Sequence, residues 1–202
     1  SRGKGALEDY FDLAPNLEEE LKRKGKFDML KVLEETNMDS GAIAYVRQHK
    51  ALGLGHAVWC ARRLIGDQPF AVMLSDDVIA ADKPCLQQMV EAYEETGGNM
   101  VAAMEVAPEK TSSYGILDVV SEEGNLVDVK GMVEKPNAEE SPSNLAVIGR
   151  YILSPSVLKN LDDMKTGAGG EIQLTDAIAA EIENKRKVYG YRFSGQRFDC
   201  GS

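Results

Sequence analysis

The sequence of 202 residues has few cysteines and no long apolar run. Its three cysteines, Cys60, Cys85 and Cys200, are odd in number and far apart, so they fit neither a disulfide framework nor a zinc site. No apolar stretch approaches the roughly 20 residues that a membrane-spanning helix needs, and no signal peptide is recognisable. We therefore expect a protein of the reducing cytoplasm that has no membrane partner.

The sequence also lacks an extended run of basic residues. Its formal net charge is −10, with 23 Lys and Arg against 33 Asp and Glu. Nucleic acids attract surfaces rich in Lys and Arg, so we expect no nucleic-acid partner, whereas a small anionic ligand would need only local positive charge. His49 and His56 are the only histidines, and neither has a Ser or Cys at the spacing of a catalytic triad.

The composition of the chain is typical of a globular protein. Apolar residues make up 43% and charged residues 28%. A chain of this length is the size of one domain and can bury roughly 70% of its unfolded surface. Since no internal repeat or low-complexity tract is present, we predict a single domain over residues 1–202.

Strand-like and helix-like runs alternate in the first half of the chain. They are GAIAYVRQ (41–48), HAVWCARRLI (56–65), FAVMLS (70–75), PCLQQMVEAYEETGG (84–98) and MVAAMEV (100–106). This alternation predicts an α/β domain with a mostly parallel central sheet. Pro84 and the pair Gly97 and Gly98 are the expected start and stop signals of the helix between them.

The rest of the chain predicts shorter elements. Residues 114–136 and 145–154 predict strands of an antiparallel or mixed portion of the sheet, and an alternating strand is expected at 187–194. A helix is expected from about Asp176 to Lys185. Residues 6–36 are rich in charges at helical spacing and predict two solvated helices.

Two adjacent acids follow the apolar run FAVMLS, and they suggest a cation site. Ligands of open α/β sheets collect outside the carboxyl ends of the strands. Asp76 and Asp77 are therefore candidates to hold Mg²⁺, which binds one or two carboxylates together with phosphate oxygens. The alternative is a turn in which one Asp caps the chain and the other is solvated.

The stretch QHKALGLGHA, residues 48–57, contains a glycine-bearing turn. Glycines let backbone N–H groups approach a flat or anionic ligand without a Cβ in the way. Val58 stands where a dinucleotide fingerprint has its third glycine, so the stretch is not that motif.

An acid and a lysine are adjacent in MVEKPN, residues 132–137. Glu134 suits sugar hydroxyls and Lys135 suits a phosphate, or the two form a solvated ion pair before a turn. Further on, GAGGEIQLTDAI (167–178) predicts an ordinary helix that begins at Thr175 or Asp176.

Taken in order, these stretches resemble the bacterial UTP–glucose-1-phosphate uridylyltransferases, a branch of the sugar-phosphate nucleotidylyltransferases. The resemblance covers essentially the whole chain and rests on RGKGALEDYFD, ALGLGHAV, LSDDV, VEKP, VIGRYIL, GGEIQLTDAI and FDCGS. It implies a Rossmann-like, three-layer α/β fold of the nucleotide-diphospho-sugar transferases, with a mixed central sheet. It also implies an enzyme that makes UDP-glucose and pyrophosphate from UTP and α-glucose 1-phosphate, with Mg²⁺ as cofactor and a homo-oligomer, dimer or tetramer, as the assembly.

The resemblance further implies roles for individual residues. Asp76 matches the first Mg²⁺ ligand and Asp199 the second, while Lys135 matches the base that holds the sugar phosphate. Lys135 and Asp76 are thus the expected catalytic residues, and Asp77 is expected to be a bystander. The remaining matches are Gln48 and Gly53 for the uracil edge, and Gly115, Glu134, Ile148 and Gly149 for the sugar.

The sequence departs from the family pattern in one respect. The family begins with a glycine-rich loop of the GxGTR type, which clamps the triphosphate, and it continues beyond the FDCGS motif. We therefore expect the catalytic domain to be truncated at both ends, and this exact chain to be inactive. The alternatives are a related thymidylyltransferase, because uracil and thymine differ by one methyl group, a metal-dependent glycosyltransferase, and a non-catalytic domain that binds UDP-sugars.

Overall fold

The computed structural model describes residues 5–163 and 170–201. Part of the predicted glycine stretch, residues 167–169, lies outside the described residues. The chain divides into two compact units, Ser1–Lys50 and Ala51–Ser202. The single domain over residues 1–202 stays a prediction.

The first unit is helical. Its described helices are α1 (Gly5–Tyr10), α2 (Pro15–Arg23) and α3 (Phe27–Thr36). The sequence predicted two helices in residues 6–36, and the structure has a third because the chain also breaks between α2 and α3. Gly25 follows α2 with a φ of 65°, a left-handed conformation that commonly ends helices.

The strand predicted at residues 41–48 is wrong. These residues are irregular and pair with no strand in the part of the chain that the structure describes. Alternating apolar residues indicate which side chains share a face, but a strand also needs a partner for its backbone N–H and C=O groups.

The second unit is built on β-strands. The strands among its described residues are β1 (Phe70–Met73), β2 (Asp77–Ala80), β3 (Asn99–Glu105), β4 (Gly115–Glu123), β5 (Leu126–Glu134), β6 (Leu145–Leu153), β7 (Val188–Arg192) and β8 (Gln196–Asp199). Six of them form one sheet in the order β1-β6-β3-β7-β5-β4, while β2 and β8 pair in a small second sheet.

The central sheet is mixed, as the resemblance implied. Strand β6 runs antiparallel between β1 and β3, and β5 runs antiparallel to both β4 and β7. Among the described strands only β3 and β7 form a parallel pair, so the expectation of a mostly parallel sheet is wrong. Apolar runs indicate strands buried on both faces, but they do not reveal the direction of a neighbour that comes from far along the chain.

Helices cover both faces of this sheet. The described helices of the second unit are α4 (Leu54–Cys60), α5 (Arg62–Ile65), α6 (Cys85–Thr96), α7 (Pro155–Asp163) and α8 (Leu174–Glu183). Met89 of α6 packs in one apolar cluster with Met100 and Ile148, whereas α4, α7 and α8 contribute to a second cluster around Val101 and Val147. Because neighbouring strand residues point to opposite faces, the two clusters lie on the two sides of the sheet and make three layers.

Two helix boundaries test the sequence signals. Helix α6 follows Pro84 and ends before Gly97, whose φ is 64°, as predicted. Helix α8 begins at Leu174, earlier than predicted, and no side chain caps it at Gln173. The hydroxyl of Thr175 bonds a side chain on another element instead, as described below.

A membrane span is not found among the helices. Within residues 5–163 and 170–201, no helix combines the length and the hydropathy that crossing a bilayer would require.

Candidate active site

A cavity of about 350 Å³ in the second unit is the candidate site. It lies where the turn between β1 and β2, the ends of β5 and β8, the middle of β6 and the start of α8 meet. Its lining includes Asp76, Asp77, Glu134, Lys135, Arg197 and Asp199. A more open depression of about 820 Å³ between Ala80 and Tyr191 is larger, but it brings together fewer charged groups. We take the smaller cavity as the site because several charges converge there.

Pairing of β2 with β8 brings the predicted cation ligands together. Asp77 lies opposite Asp199 in this pair, and the backbone N–H of Cys200 donates to the carbonyl of Asp76 at 2.7 Å. A Cβ placed on Gly201 would lie 3.1 Å from an oxygen of Asp76 and 3.2 Å from an oxygen of Asp199. The two carboxylates therefore border one small space, in which a side chain at position 201 would be crowded.

This space fits a hard divalent cation. The Gly201 N–H and the positive charge of Arg197 lower the pKa of Asp199, which favours the ionised carboxylate. No cluster of three His, Cys, Asp or Glu residues suitable for a metal occurs among the described residues. Two carboxylates leave further coordination positions for phosphate oxygens and water, the arrangement that Mg²⁺ commonly adopts.

Asp77 is more than the bystander that the sequence suggested. It is buried, and its Oδ2 accepts a hydrogen bond of 2.8 Å from the backbone N–H of Gly149. Its Oδ1 accepts from Arg197. Asp77 therefore ties β2 to both β6 and β8.

Gly149 lies at an irregularity of β6 that makes this contact possible. Between Val101 and Ala102 of β3 the register with β6 shifts, so Gly149 and Arg150 have no direct partner on β3. A Cβ on Gly149 would lie 2.6 Å from Oδ2 of Asp77 and 2.7 Å from Cβ of Leu74. Gly149 lines the cavity, and only glycine fits there without a shift, while its contact with the sugar stays a prediction.

Ile148 is placed differently from the expectation that it lines a sugar pocket. It is fully buried in the core cluster that faces α6. Its neighbours Val147, Gly149 and Tyr151 lie on the other face of β6 and line the cavity. The alternation of a strand gives the reason, because residues one apart point to opposite faces.

Glu134 and Lys135, at the end of β5, have different surroundings. Glu134 is mostly buried, and its Oε2 accepts a hydrogen bond of 2.6 Å from the hydroxyl of Thr175. Lys135 is about half exposed, and its Nζ lies 3.7 Å from Oε1 of Glu134. Lys135 has a φ of 48°, uncommon for a residue with a side chain, so its backbone turns away from β5 directly after Glu134.

Gly115 lies opposite Glu134 in the β4–β5 pair. A Cβ on Gly115 would meet the Thr175 hydroxyl at 3.0 Å and Oε2 of Glu134 at 3.2 Å. The absent side chain leaves backbone exposed to the cavity at the place where the resemblance puts the hexose.

The two predicted nucleotide contacts belong to different units. Gly53, with a φ of 94°, precedes α4, and a Cβ there would lie 2.8 Å from Cβ of Glu171. The turn is fixed by a hydrogen bond of 2.7 Å from the N–H of Ile172 to the carbonyl of Leu52. Gln48 lies in the first unit and is half-buried, and its role in reading uracil stays a prediction.

Several cavity residues were missed from the sequence, chiefly Thr175, Arg197, Tyr114 and Tyr151. Burial and the nearby carboxylates of Glu134, Asp77 and Asp76 raise the pKa of Tyr151, so its phenol stays neutral. Alternation along VIGRY, with Gly149 on one face, could have indicated Tyr151. No local pattern indicates Arg197 or Thr175, because their partners are distant in sequence.

The fold and the acidic cavity at its strand ends define an α/β domain of the Rossmann-like class. A family model described as nucleotidyl transferase matches residues 13–202. The chain belongs to the nucleotidyl transferase family.

Within this family the chain is similar to enzymes that use UTP. It is 51% identical over 202 residues to a UTP–glucose-1-phosphate uridylyltransferase of Komagataeibacter xylinus, covering 100% of this chain and 71% of that protein. A UDP-glucose pyrophosphorylase solved in complex with UDP-glucose matches with a TM-score of 0.85 and 42% identity, over 100% of this chain and 73% of the other. A UTP-bound enzyme of Acinetobacter baumannii matches with a TM-score of 0.86 and 38% identity, over 100% of this chain and 70% of the other. The resemblance predicted from the motifs is confirmed.

Proposed function

We propose that the second unit carries the site of a UTP–glucose-1-phosphate uridylyltransferase. In this reaction an oxygen of the sugar phosphate attacks the α-phosphorus of UTP, the bond from that phosphorus to the bridging oxygen breaks, and pyrophosphate leaves with UDP-glucose as the other product. The observation that carries the proposal is the convergence of Asp76, Asp199, Glu134 and Lys135 on one cavity.

The carboxylates of Asp76 and Asp199 are the proposed ligands of Mg²⁺. When bound, the cation would neutralise charge on the phosphates. The space beside Gly201 supports this assignment, since both carboxylates border it and a side chain is absent.

Glu134 and Lys135 are proposed to hold the glucose 1-phosphate. A carboxylate accepts hydrogen bonds from sugar hydroxyls, and Oε2 of Glu134 is already oriented by Thr175. Lys135 supplies a positive charge with three donors to the phosphate. Its half-exposed side chain can extend toward a ligand in the cavity.

The backbone of Gly53 and Gly115 is proposed to contact the nucleotide and the hexose. Gly115 lines the cavity, and at both positions neighbouring protein atoms leave no room for a Cβ without a shift, so a side chain would disturb the local packing. Much of the rate enhancement would come from positioning and charge neutralisation, because phosphoryl chemistry needs little covalent help from the protein.

Mg²⁺-dependent release of pyrophosphate from UTP and glucose 1-phosphate, measured on a longer chain that also carries the glycine-rich loop of the family, tests the proposal and gives the rates for every variant below. Asp76→Asn should abolish the release while the protein stays folded, because it removes a charge without changing shape. Asp82→Asn is the matched control, since Asp82 is an exposed carboxylate beyond β2 and outside the cavity.

The outcomes separate the alternatives. Wild-type rates for Asp76→Asn would contradict the cation assignment. Release with dTTP in preference to UTP would favour a thymidylyltransferase, and release of UDP from UDP-glucose would favour a glycosyltransferase. Binding of UDP-glucose without turnover would favour a non-catalytic domain.

A further inference from the structure

Arg197 connects the groups around the proposed cation site. Its side chain is mostly buried, with 11% of its surface exposed. Its guanidinium donates to Oδ1 of Asp77 and, at 3.1 Å, to Oδ2 of Asp199, while a third nitrogen donates to the hydroxyl of Tyr114 at 3.0 Å. One planar group thus bonds side chains from β2, β8 and the segment before β4.

The β2–β8 pair needs such a group. Asp77 and Asp199 lie directly opposite each other, and like charges at opposed positions destabilise a pair of strands. Asp77 is also buried, and a buried carboxylate is costly without a partner. The fork of Arg197 bonds both carboxylates at once, which a lysine could not do in the same geometry.

The position of Asp76 is linked to that of Asp77 and Asp199 through the backbone. Asp76 directly precedes Asp77, and its carbonyl accepts the N–H of Cys200, the residue after Asp199. Any change in the spacing of Asp77 and Asp199 therefore changes the spacing of Asp76 and Asp199.

We propose that Arg197 is a positioning residue that acts through Asp77 and Asp199 to hold the two cation-binding carboxylates, Asp76 and Asp199, at a fixed separation. This inference rests on the proposed function, which assigns a divalent cation to those two carboxylates. Arg197 does not touch the cation, and its effect on cation binding is geometric.

Two physical effects of Arg197 on a cation have opposite signs. Its positive charge repels a cation, so its removal would by itself strengthen cation binding. Its hydrogen bonds preorganise the ligands, so its removal would weaken binding, as loss of outer partners of metal ligands commonly does by about 10- to 100-fold. The direction of the change therefore identifies which effect dominates.

The experiment is a titration of the whole chain with Mn²⁺, with free Mn²⁺ followed by electron paramagnetic resonance, in the absence of nucleotide. The part of the binding that is lost in Asp76→Asn defines the site. Arg197→Met should weaken this part by about tenfold or more. Arg197→Lys keeps the positive charge but loses the planar guanidinium that bonds both Asp77 and Asp199, so it should also weaken Mn²⁺ binding at this site.

Arg192→Met is the matched control. Arg192 on β7 likewise bridges two carboxylates, those of Glu105 and Glu122, each at 3.0 Å, but away from the cavity. It should lower the unfolding temperature without changing the Mn²⁺ affinity.

Unchanged or tighter Mn²⁺ binding in Arg197→Met overturns the inference. If that variant does not fold, Arg197→Lys decides, and a wild-type affinity there overturns it as well. If Asp76→Asn binds as much Mn²⁺ as the wild type, the cation assignment of the proposed function fails, and the positioning role fails with it. Site-specific binding that is insensitive to both Arg197 substitutions leaves the cation assignment intact and rejects only the role of Arg197.

Discussion

The hydroxyl of Thr175 donates a hydrogen bond of 2.6 Å to Oε2 of Glu134, which joins the first turn of α8 to the last residue of β5. The contact orients a mostly buried carboxylate toward the cavity. Thr175 lies inside α8, whose N-cap position is Gln173, so its hydroxyl bonds a carboxylate on another element and does not cap the helix.

Thr175→Val tests this contact, because valine keeps the shape and removes the donor. We expect a loss of about 1.5–3 kcal/mol in the free energy of unfolding, since a hydrogen bond to a charged acceptor is lost. The KM for glucose 1-phosphate should rise as well, because Glu134 is freed to rotate. Urea unfolding and initial rates measure the two effects.

Thr96→Val serves as the control for that substitution. The hydroxyl of Thr96 bonds the carbonyl of Ala92 on the exposed face of α6 at 2.8 Å. Its loss should change stability by less than about 0.5 kcal/mol and leave the KM unchanged. Equal effects of the two substitutions on KM would contradict the role of Thr175.

Gly149→Ala should disturb the buried Asp77. The added Cβ would meet Oδ2 of Asp77 at 2.6 Å and Cβ of Leu74 at 2.7 Å, so either the strand or the turn must shift. We expect a loss of about 1–3 kcal/mol in stability, in the range of overpacked cores, together with reduced turnover. Thermal unfolding and pyrophosphate release provide the measurements.

Gly131→Ala on β5 is the comparison, since its nearest neighbour, Cβ of Asp118, would lie at an ordinary 3.5 Å. We expect it to be neutral or slightly stabilising, because alanine restricts the unfolded chain. A loss at Gly131 as large as that at Gly149 would show that the crowding of Asp77 is not the cause.

Glu181 makes the stability of the second unit depend on pH. It is fully buried in α8, and burial alone would raise its pKa. Hydrogen bonds from Ser156, Asn160, Arg186 and Asn99 outweigh that effect and lower the pKa of Glu181 below its ordinary value. A lowered pKa in the folded state means that the ionised carboxylate stabilises the fold above the unfolded pKa of about 4.3, and that this contribution is lost as the pH falls through the folded value.

Glu181→Gln should therefore destabilise the protein by about 1–3 kcal/mol near neutral pH, because a charged acceptor is replaced by an amide with fewer acceptor sites. The difference from the wild type should shrink in acid, as seen by urea unfolding at about pH 7 and about pH 3.5. Glu183→Gln, on the exposed face of the same helix, should have little effect. A difference that grows in acid would contradict the lowered pKa.

Lys135→Met tests the proposed phosphate contact. Methionine keeps most of the length of the unbranched lysine side chain, and the backbone strain at φ 48° is common to both residues, so the loss of charge is the main change. We expect kcat/KM for glucose 1-phosphate to fall by a factor equivalent to about 2–5 kcal/mol if a desolvated charge pair is broken. Lys130→Met, in an exposed pair with Asp118, is the control and should leave kcat/KM unchanged. A loss below about 1 kcal/mol in Lys135→Met would indicate only an exposed ion pair.

Local patterns predicted much of the second unit. The apolar run that precedes Asp76 and Asp77 predicted a strand, and β1 lies there. Pro84 and Gly97 predicted the two ends of α6. These features depend on neighbours a few residues apart, through burial of apolar runs and the conformational limits of proline and glycine, so sequence is enough to define them.

The candidate site could be predicted only in part. The motifs indicated Asp76, Asp199, Glu134 and Lys135, but they did not indicate that β2 pairs with β8 and so brings Asp76 beside Asp199. The family match also gave no indication that the side chain of Ile148 lies on the core face of β6, because residues one apart on a strand point to opposite faces.

By itself, the sequence determined the family, the α/β class and the residues that carry charge. Only the tertiary structure decided that β6 runs antiparallel between β1 and β3, that residues 41–48 are not a strand, and that Arg197 bonds Asp77 across 120 positions of the chain. Composition and short-range periodicity report which groups a chain can bury or ionise. Pairing between distant segments depends on the free energy of the whole packed unit, and no local pattern encodes it.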